Sequence, residues 1–246
     1  MKNKFSSVIY FIAAVMMLTG MSQCRKPDDS AATIETGTVT DAESNIYKTV
    51  KIGNQWWMAE DLKTRKYRDG NYITQLQSDS AQWSADSLGA YCNVLDNGQN
   101  IIGKLYNWYA VNNPSNLAPA GWHIPTDDDW KTLEMTIGMS SSEADKFAWR
   151  GTDEANKMKM KSPDGWTSYG DIWSTNESGF TAIANGCRLF NGGWGDPGLY
   201  ATEFWWTSSV HQSGDPLYRY LDYKNKNVFR SYCSAKYGFS IRCVKD

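Results

Sequence analysis

Apolar and polar positions alternate with a period of two near both ends of the chain, and one stretch between them carries a clear helical period. In IYKTVKI, Ile46, Val50 and Ile52 share a parity, and Gly53-Asn54 then leads into QWWMAEDL, which predicts consecutive strands joined by tight turns. Adjacent Trp56 and Trp57 face opposite sides, one anchoring the core and one covering an edge. The segments GFTAIAN and, after a glycine-rich loop, EFWWTSSV, PLYRYLDY, NVFRSYC and GFSIRCV predict strands of an antiparallel meander, with one of Trp205 and Trp206 in the core. Tyr218 and Tyr220 share a face, with Arg219 between them.

The helical signal is centred on GWHIPTDDDW, Gly121 to Trp130. Trp122 and Ile124 alternate about His123 as in a strand, Pro125 ends the ladder, and Thr126 is placed to cap a helix. Asp127, Asp128 and Asp129 occupy its first turn, where negative charge suits the helix dipole, and Asp129 completes a capping box. Trp130, Leu133 and Ile137 form the apolar stripe, and Gly138 ends it. Ser142 to Arg150 reads as a second short helix closed by Gly151, with Thr152 capping a further turn through Met158. Ile101 to Val111 fits helix or strand, and the spacing of Leu105, Trp108 and Tyr109 favours helix. Arg65 to Gln99 shows no clear helix and reads as an irregular excursion.

With 246 residues and 41% hydrophobic composition, the chain can bury one good core, so a single domain with an appendage is expected. Twelve Trp, 14 Tyr and 20 Gly favour an aromatic core tied by loops over a long-helix protein. The net charge of -2 offers no basic face for nucleic acid.

The appendage is the N-terminus, read as a lipoprotein signal peptide over residues 1–23. Lys2 and Lys4 precede the apolar run Val8 to Leu18, which is short for a bilayer span, and small residues Gly20 and Ser22 precede Cys24, the expected lipidation site. Met21, Ser22 and Gln23 make a relaxed lipobox, and cleavage after Ser22 to give a secreted or periplasmic protein is the alternative. Arg25 behind Cys24 is consistent with outer-membrane sorting, and polar residues 24–37 read as a flexible tether carrying the domain, residues 38–246, at the cell surface. Export permits disulfides, and Cys92, Cys187, Cys233 and Cys243 allow three pairings.

Candidate chemistry is sparse. His123 has no nucleophile motif beside it and reads as a structural, hydrogen-bonded histidine, while His211 lies in a polar loop and reads as solvated. No CxxC spacing or calcium loop marks a metal site, and no cofactor motif is present. The loop NGGWGDPG, Asn191 to Gly198, places Trp194 between glycines. Its indole is either displayed for stacking on a sugar ring, with Asn191, Asp196 and Tyr200 supplying polar groups, or folded back as a lid on the core.

TVKIGNQWWMAEDL, GKLYNWYAV, GWHIPTDDDW, NESGFTAI, WWTSS and YGFSIRCVKD, in this order, resemble the Fibrobacter succinogenes major paralogous domain, common in exported proteins of Bacteroidetes and Fibrobacteres. The resemblance runs from about Thr38 to the C-terminus. It implies an α+β, C-type lectin-like fold, similar also to formylglycine-generating-enzyme-like domains, with two main helices, small twisted antiparallel sheets and long loops. Where the family commonly has GGYR this chain has Asn185-Gly186-Cys187-Arg188, and Cys233 is also unusual, so the resemblance implies Cys187 bonded to Cys233 and Cys92 to Cys243. The calcium-coordinating triplets of sugar-binding lectins are absent, and WWTSS stands where such lectins carry carboxylates. An oxidase of the formylglycine-generating kind would need Cys187 and Cys233 as reactive thiols. The expectation is a non-enzymatic cell-envelope binding module for a glycan or an envelope protein. A structural component of a surface complex is the first alternative and the oxidase the second.

Overall fold

The computed structural model describes residues 34–96, 100–161, 165–168, 170, 174–195 and 200–246. The signal segment, Cys24 and Asp196 lie outside the described residues. In chain order the elements begin with β1 (Thr36–Thr40), β2 (Ile46–Ile52), β3 (Gln55–Met58), β4 (Thr74–Gln75), α1 (Ser80–Ala85), β5 (Ala90–Asp96), β6 (Asn100–Asn107) and α2 (Trp108–Val111). There follow β7 (Trp122–His123), α3 (Asp127–Thr136), α4 (Ser141–Ala144), β8 (Ala148–Arg150), α5 (Glu154–Met158), β9 (Thr202–Val210), β10 (Pro216–Asp222), β11 (Val228–Tyr232), β12 (Gly238–Phe239) and β13 (Val244–Lys245). The architecture is α+β, dominated by sheet.

Among the described residues the strands make three sheets, ordered β1-β2-β3-β13-β7, β8-β11-β10-β9 and β12-β6-β5-β4. The pairings are antiparallel except β4 with β5. β9, β10 and β11 form the predicted meander, but GFSIRCV does not join it: β12 pairs with β6, and β13 lies between β3 and β7. β9 is the wall between two cores. Trp205 and Trp206 point to opposite faces and both are fully buried, Trp205 beside Trp57, Trp130 and Phe180, Trp206 beside Tyr106 and Phe239.

Several sequence expectations are corrected. Residues 101–107 are strand: β6 pairs along β5 from Tyr106 with Tyr91 to Asn100 with Asp96, and only Trp108–Val111 is helical, capped by the Asn107 side chain. The stretch read as an irregular excursion contains α1, capped by Asp79, and the core strand β5; Trp83 alone anchors α1, too little for a periodic signal. The second helix stops at Ala144, and Ala148–Arg150 instead extends the meander sheet against β11. Thr152 does not cap α5; Glu154 accepts the Thr152 and Asp153 amides at 2.6 and 3.1 Å. GFTAIAN forms no strand, only a bridge from Ala182 to Lys159. Ile46 is exposed while Tyr47 is buried, so β2 turns both faces inward along its length. β1 begins inside the stretch read as a tether.

The capping box at Thr126 and Asp129 forms as expected, but Asp127 does more than favour the dipole. Its carboxylate accepts from Arg219 at 2.8 Å and from Arg230 at 2.9 and 2.7 Å. About two turns further along the same helical face, buried Glu134 accepts from Arg219 at 2.8 Å and from Arg150 at 3.0 and 2.8 Å. Arg219 and Arg230 are register partners on β10 and β11, so α3 is fixed to the meander sheet by two carboxylates among three guanidiniums. Burial alone would raise the Asp127 pKa, but the Arg230 and Arg219 guanidiniums outweigh it and hold the carboxyl well below its usual range.

The four described cysteines are thiols. Neither Cys187–Cys233 nor Cys92–Cys243 is bonded. Cys92 packs with Leu76, Trp83 and Leu105, whereas Cys243 packs in the cluster of Met58, Leu62 and Trp206, so that pair is divided between separate cores. Cys187 and Cys233 border one cluster but remain free. Aromatic and ionic packing therefore holds the fold without cross-links.

Two outcomes follow. Arg219→Ala strips a buried partner from both carboxylates and is expected to cost about 3–5 kcal/mol in urea unfolding; since the Asp127 pKa is depressed by folding, its contribution is complete above about pH 4 and declines as the pH falls further. Denaturing, non-reducing alkylation should label all four cysteines from Cys92 to Cys243, whereas disulfide-bonded protein would take up label only after reduction.

Candidate functional site

The loop carrying Trp194 closes over a cavity of about 370 Å³ lined by Gln77, Asn93 to Leu95, Asn185 to Cys187, Trp194 and Gly195. One wall is the end of β5, where a bulge between Val94 and Leu95 breaks the register with β6. Gln77, beyond β4, binds the Asn93 backbone with both ends of its amide, at 3.0 and 2.7 Å, and so takes the place of a further ladder residue. The opposite wall is the segment from Asn185, which bridges to β9 through Gly186 and Glu203 and to β12 through Arg188 and Gly238.

The loop folds back on this segment. Leu189 donates to the Gly193 carbonyl at 2.7 Å and Gly195 to the Cys187 carbonyl at 2.9 Å. Glycine is required at two points: Gly192 has φ +79° and its α-carbon lies against the Ser80 backbone, and any Cβ on Gly195 would collide with the Cys187 thiol. The Arg188 guanidinium lies over the Trp194 ring at 4.9 Å and over Trp83 at 5.3 Å, and it donates to the Gln77 carbonyl at 2.7 Å. Arg188 is buried while Trp194 is 49% exposed, so the indole rests one face on the guanidinium and shows the other to solvent.

Beneath the cavity lies a buried polar layer. Asn185, 5% exposed, donates its side-chain amide to Asp61 at 2.9 Å and its backbone N–H to Glu203. Asp61 is also held by Arg242 at 2.7 Å and by the Trp205 indole at 2.9 Å. Burial, reinforced by the nearby Asp61 charge, pushes the Glu203 carboxyl well above the usual range. The buried Asn185 Oδ1 has no hydrogen-bond partner among the described residues. Asn185 has room there because Gly103 on β6 has no side chain; a Cβ would meet its amide at 3.1 Å.

Of the ligand-binding candidates Trp194, Asn191 and Tyr200, Trp194 lines the cavity, as does Cys187, which the sequence singled out as a thiol; Asp196 lies outside the described residues. Asn191 is exposed and spends its side chain on the Gly193 amide at 3.0 Å. Tyr200 is exposed with φ +66°, its backbone paired to Ala184 and Thr167, and it does not line the cavity. Asn185, Asn93 and Gln77 were missed. The asparagine opening Asn185-Gly186-Cys187-Arg188, where the family commonly has glycine, was the available signal. Burial, with Glu203 adding to it, pushes the Cys187 thiol up to about 12, which keeps it protonated, and burial raises Cys233 as well. His123 is hydrogen-bonded as expected, to Asp246 at 2.7 Å and Asp129 at 3.2 Å. His211 is stacked on Tyr232 at 3.9 Å, with Phe147 against its edge, and is therefore packed, not simply solvated. Among the described residues no group of three or more His, Cys, Asp or Glu is arranged to hold a metal.

Fold and site thus define an α+β domain whose exposed tryptophan roofs a polar-floored cavity. Residues 50–245 match the Fibrobacter succinogenes major domain, and the chain belongs to that family. No curated protein and no solved structure matches the chain.

The raised Glu203 carboxyl sets a pH dependence opposite to that of Asp127. Above about pH 4.3 the unfolded chain ionises this residue while the folded one retains its proton, so folding stability is lost as pH rises towards the folded pKa. Glu203→Gln keeps an acceptor for Asn185 and abolishes the ionisation. Thermal unfolding at pH 8 should show it equal to or more stable than wild type, with the difference vanishing near pH 4.

Proposed function

We propose that this chain is a non-enzymatic binding module of an exported lipoprotein, anchored to the outer membrane through Cys24, and that its ligand is a glycan held against the exposed face of Trp194 at the border of the cavity. The observation that supports this reading is the half-exposed indole of Trp194, resting on Arg188 at the border of a cavity lined also by Gln77, Asn93 and Asn185. A flat aromatic face and a few fixed polar atoms suit a sugar ring, whose carbon-bound hydrogens stack while its hydroxyls find acceptors. The cavity volume falls within the roughly 300–1,000 Å³ of small-molecule sites. On this reading the fold is a C-type lectin-like one that works without calcium, and the buried, protonated Cys187 is a packing residue and not an oxidase thiol.

A second reading, a structural component of a surface complex, draws on a different surface. On the face of β8-β11-β10-β9 away from the arginines, Trp149, Phe229, Tyr220 and Phe204 form a continuous half-exposed aromatic strip with ring centroids 4.4 to 5.7 Å apart. Aromatic patches of this kind also mark protein interfaces.

A glycan array followed by calorimetric titration separates the two. Trp194→Ala should weaken binding at least tenfold, about 1.4 kcal/mol, with an unchanged circular dichroism spectrum. Unchanged affinity would remove the cavity from consideration, and a silent array would favour the protein partner, to be sought by cross-linking on intact cells.

A further inference from the structure

We infer that two buried cations, Arg188 and Lys104, hold the cavity beside Trp194 at a positive potential, and that the site therefore selects glycans carrying anionic groups over neutral ones. This rests on the glycan reading above and adds the chemical class of the ligand.

Both cations hold lining residues from behind. Arg188 donates to the carbonyl of Gln77 at 2.7 Å and lies over the ring of Trp194, and both of these residues line the cavity. Lys104 stands opposite the lining Asn93 in the β5–β6 ladder, donates to its side-chain oxygen at 2.5 Å and lies over the Tyr91 ring at 4.6 Å. Each is buried, and among the described residues neither is ion-paired to a carboxylate. Carbonyls, an amide oxygen and π faces carry no net charge, so both positive charges remain uncompensated in a poorly solvated place. Burial, reinforced by the Arg65 charge, lowers the Lys104 pKa against the weaker pull of Glu43, as expected of an ammonium short of a counter-ion.

The described acids around the site do not cancel this charge. Asp61, below Asn185, is paired with Arg242 at 2.7 Å, Glu203 keeps its proton, and Glu43, on the Lys104 side, is paired with Arg65 at 2.9 Å. Asp79 and Asp96 are spent on local turns in solvent, Asp79 on the cap of α1 and Asp96 on Asn100, where water and salt screen them. A buried charge in a medium of low polarity acts further than a solvated one. An anionic group entering beside Gln77 and Asn93 thus supplies the counter-charge that the fold omits, whereas a hydroxymethyl group in the same position leaves both cations uncompensated. Because the cations stay behind the lining side chains, the attraction acts through their field and not through direct contact.

The test uses matched oligosaccharides that differ only in oxidation at C6: manno- against mannurono-, galacto- against galacturono-, and gluco- against glucurono-oligomers, each titrated against the purified protein in 150 mM salt. For every pair that gives a signal, the acidic member should bind at least tenfold more tightly. Lys104→Met removes the charge behind Asn93 and should cut that ratio at least threefold. Leu95→Glu places a carboxylate at the cavity wall in a half-buried position and should narrow or reverse the ratio, which keeps the test decisive if Lys104→Met does not fold. Equal or tighter binding of a neutral member by the wild type overturns the inference, as does an acidic preference that the folded variants leave unchanged; if Trp194→Ala abolishes that binding, the glycan reading stands without it. Failure of all six ligands to bind overturns both.

Discussion

Arg219 and Arg230 sit opposite each other on neighbouring strands, buried, and would drive the meander sheet apart if left alone. Asp127 takes a guanidinium from each, and Glu134, about two helical turns on, takes Arg219 again and adds Arg150. The sheet therefore cannot close stably until α3 is docked, and α3 can dock in only one register, because its two carboxylates must meet three fixed cations. Buried ion pairs of this kind add less to net stability than to uniqueness of packing. Here they set the rotation and height of the longest described helix, and with it the position of Trp130 among Trp57, Phe180 and Trp205.

This constraint also accounts for what was and was not legible in the sequence. The helix start at Thr126 was readable, since capping is local chemistry between residues three apart. That Asp127 reaches β10 and β11 was not, because its partners lie about a hundred residues further along and nothing in the periodicity of either strand says which face a lone arginine takes. β6 was misread for a related reason: its apolar residues fit both periods, and the pairing with β5 decides between them. α1 was invisible because a single buried tryptophan makes no stripe.

For the site, the displayed tryptophan was legible and its surroundings were not. Glycine on both sides of an indole is a local signal, and Trp194 does show a face to solvent. The polar partners were sought among its sequence neighbours, whereas folding supplies them from β5 and from the segment at Asn185. Trp194 is half-exposed, and its ring lies over the Arg188 guanidinium, so the indole is packed on one side and open on the other. The cysteines show the converse error, in which a family comparison implied pairings that the separation of the cores forbids for Cys92 and Cys243.

The Arg188 sandwich has a kinetic consequence. The guanidinium lies between Trp83 of α1 and Trp194, and Gly192 packs against the Ser80 backbone, so the described part of the loop is held against α1. Were the proposed ligand to bind here, a site held in this way would give up little chain freedom on association, and the rate would be set by diffusion and orientation and not by loop rearrangement. Differences among fitting ligands would then be expressed in how long each one stays.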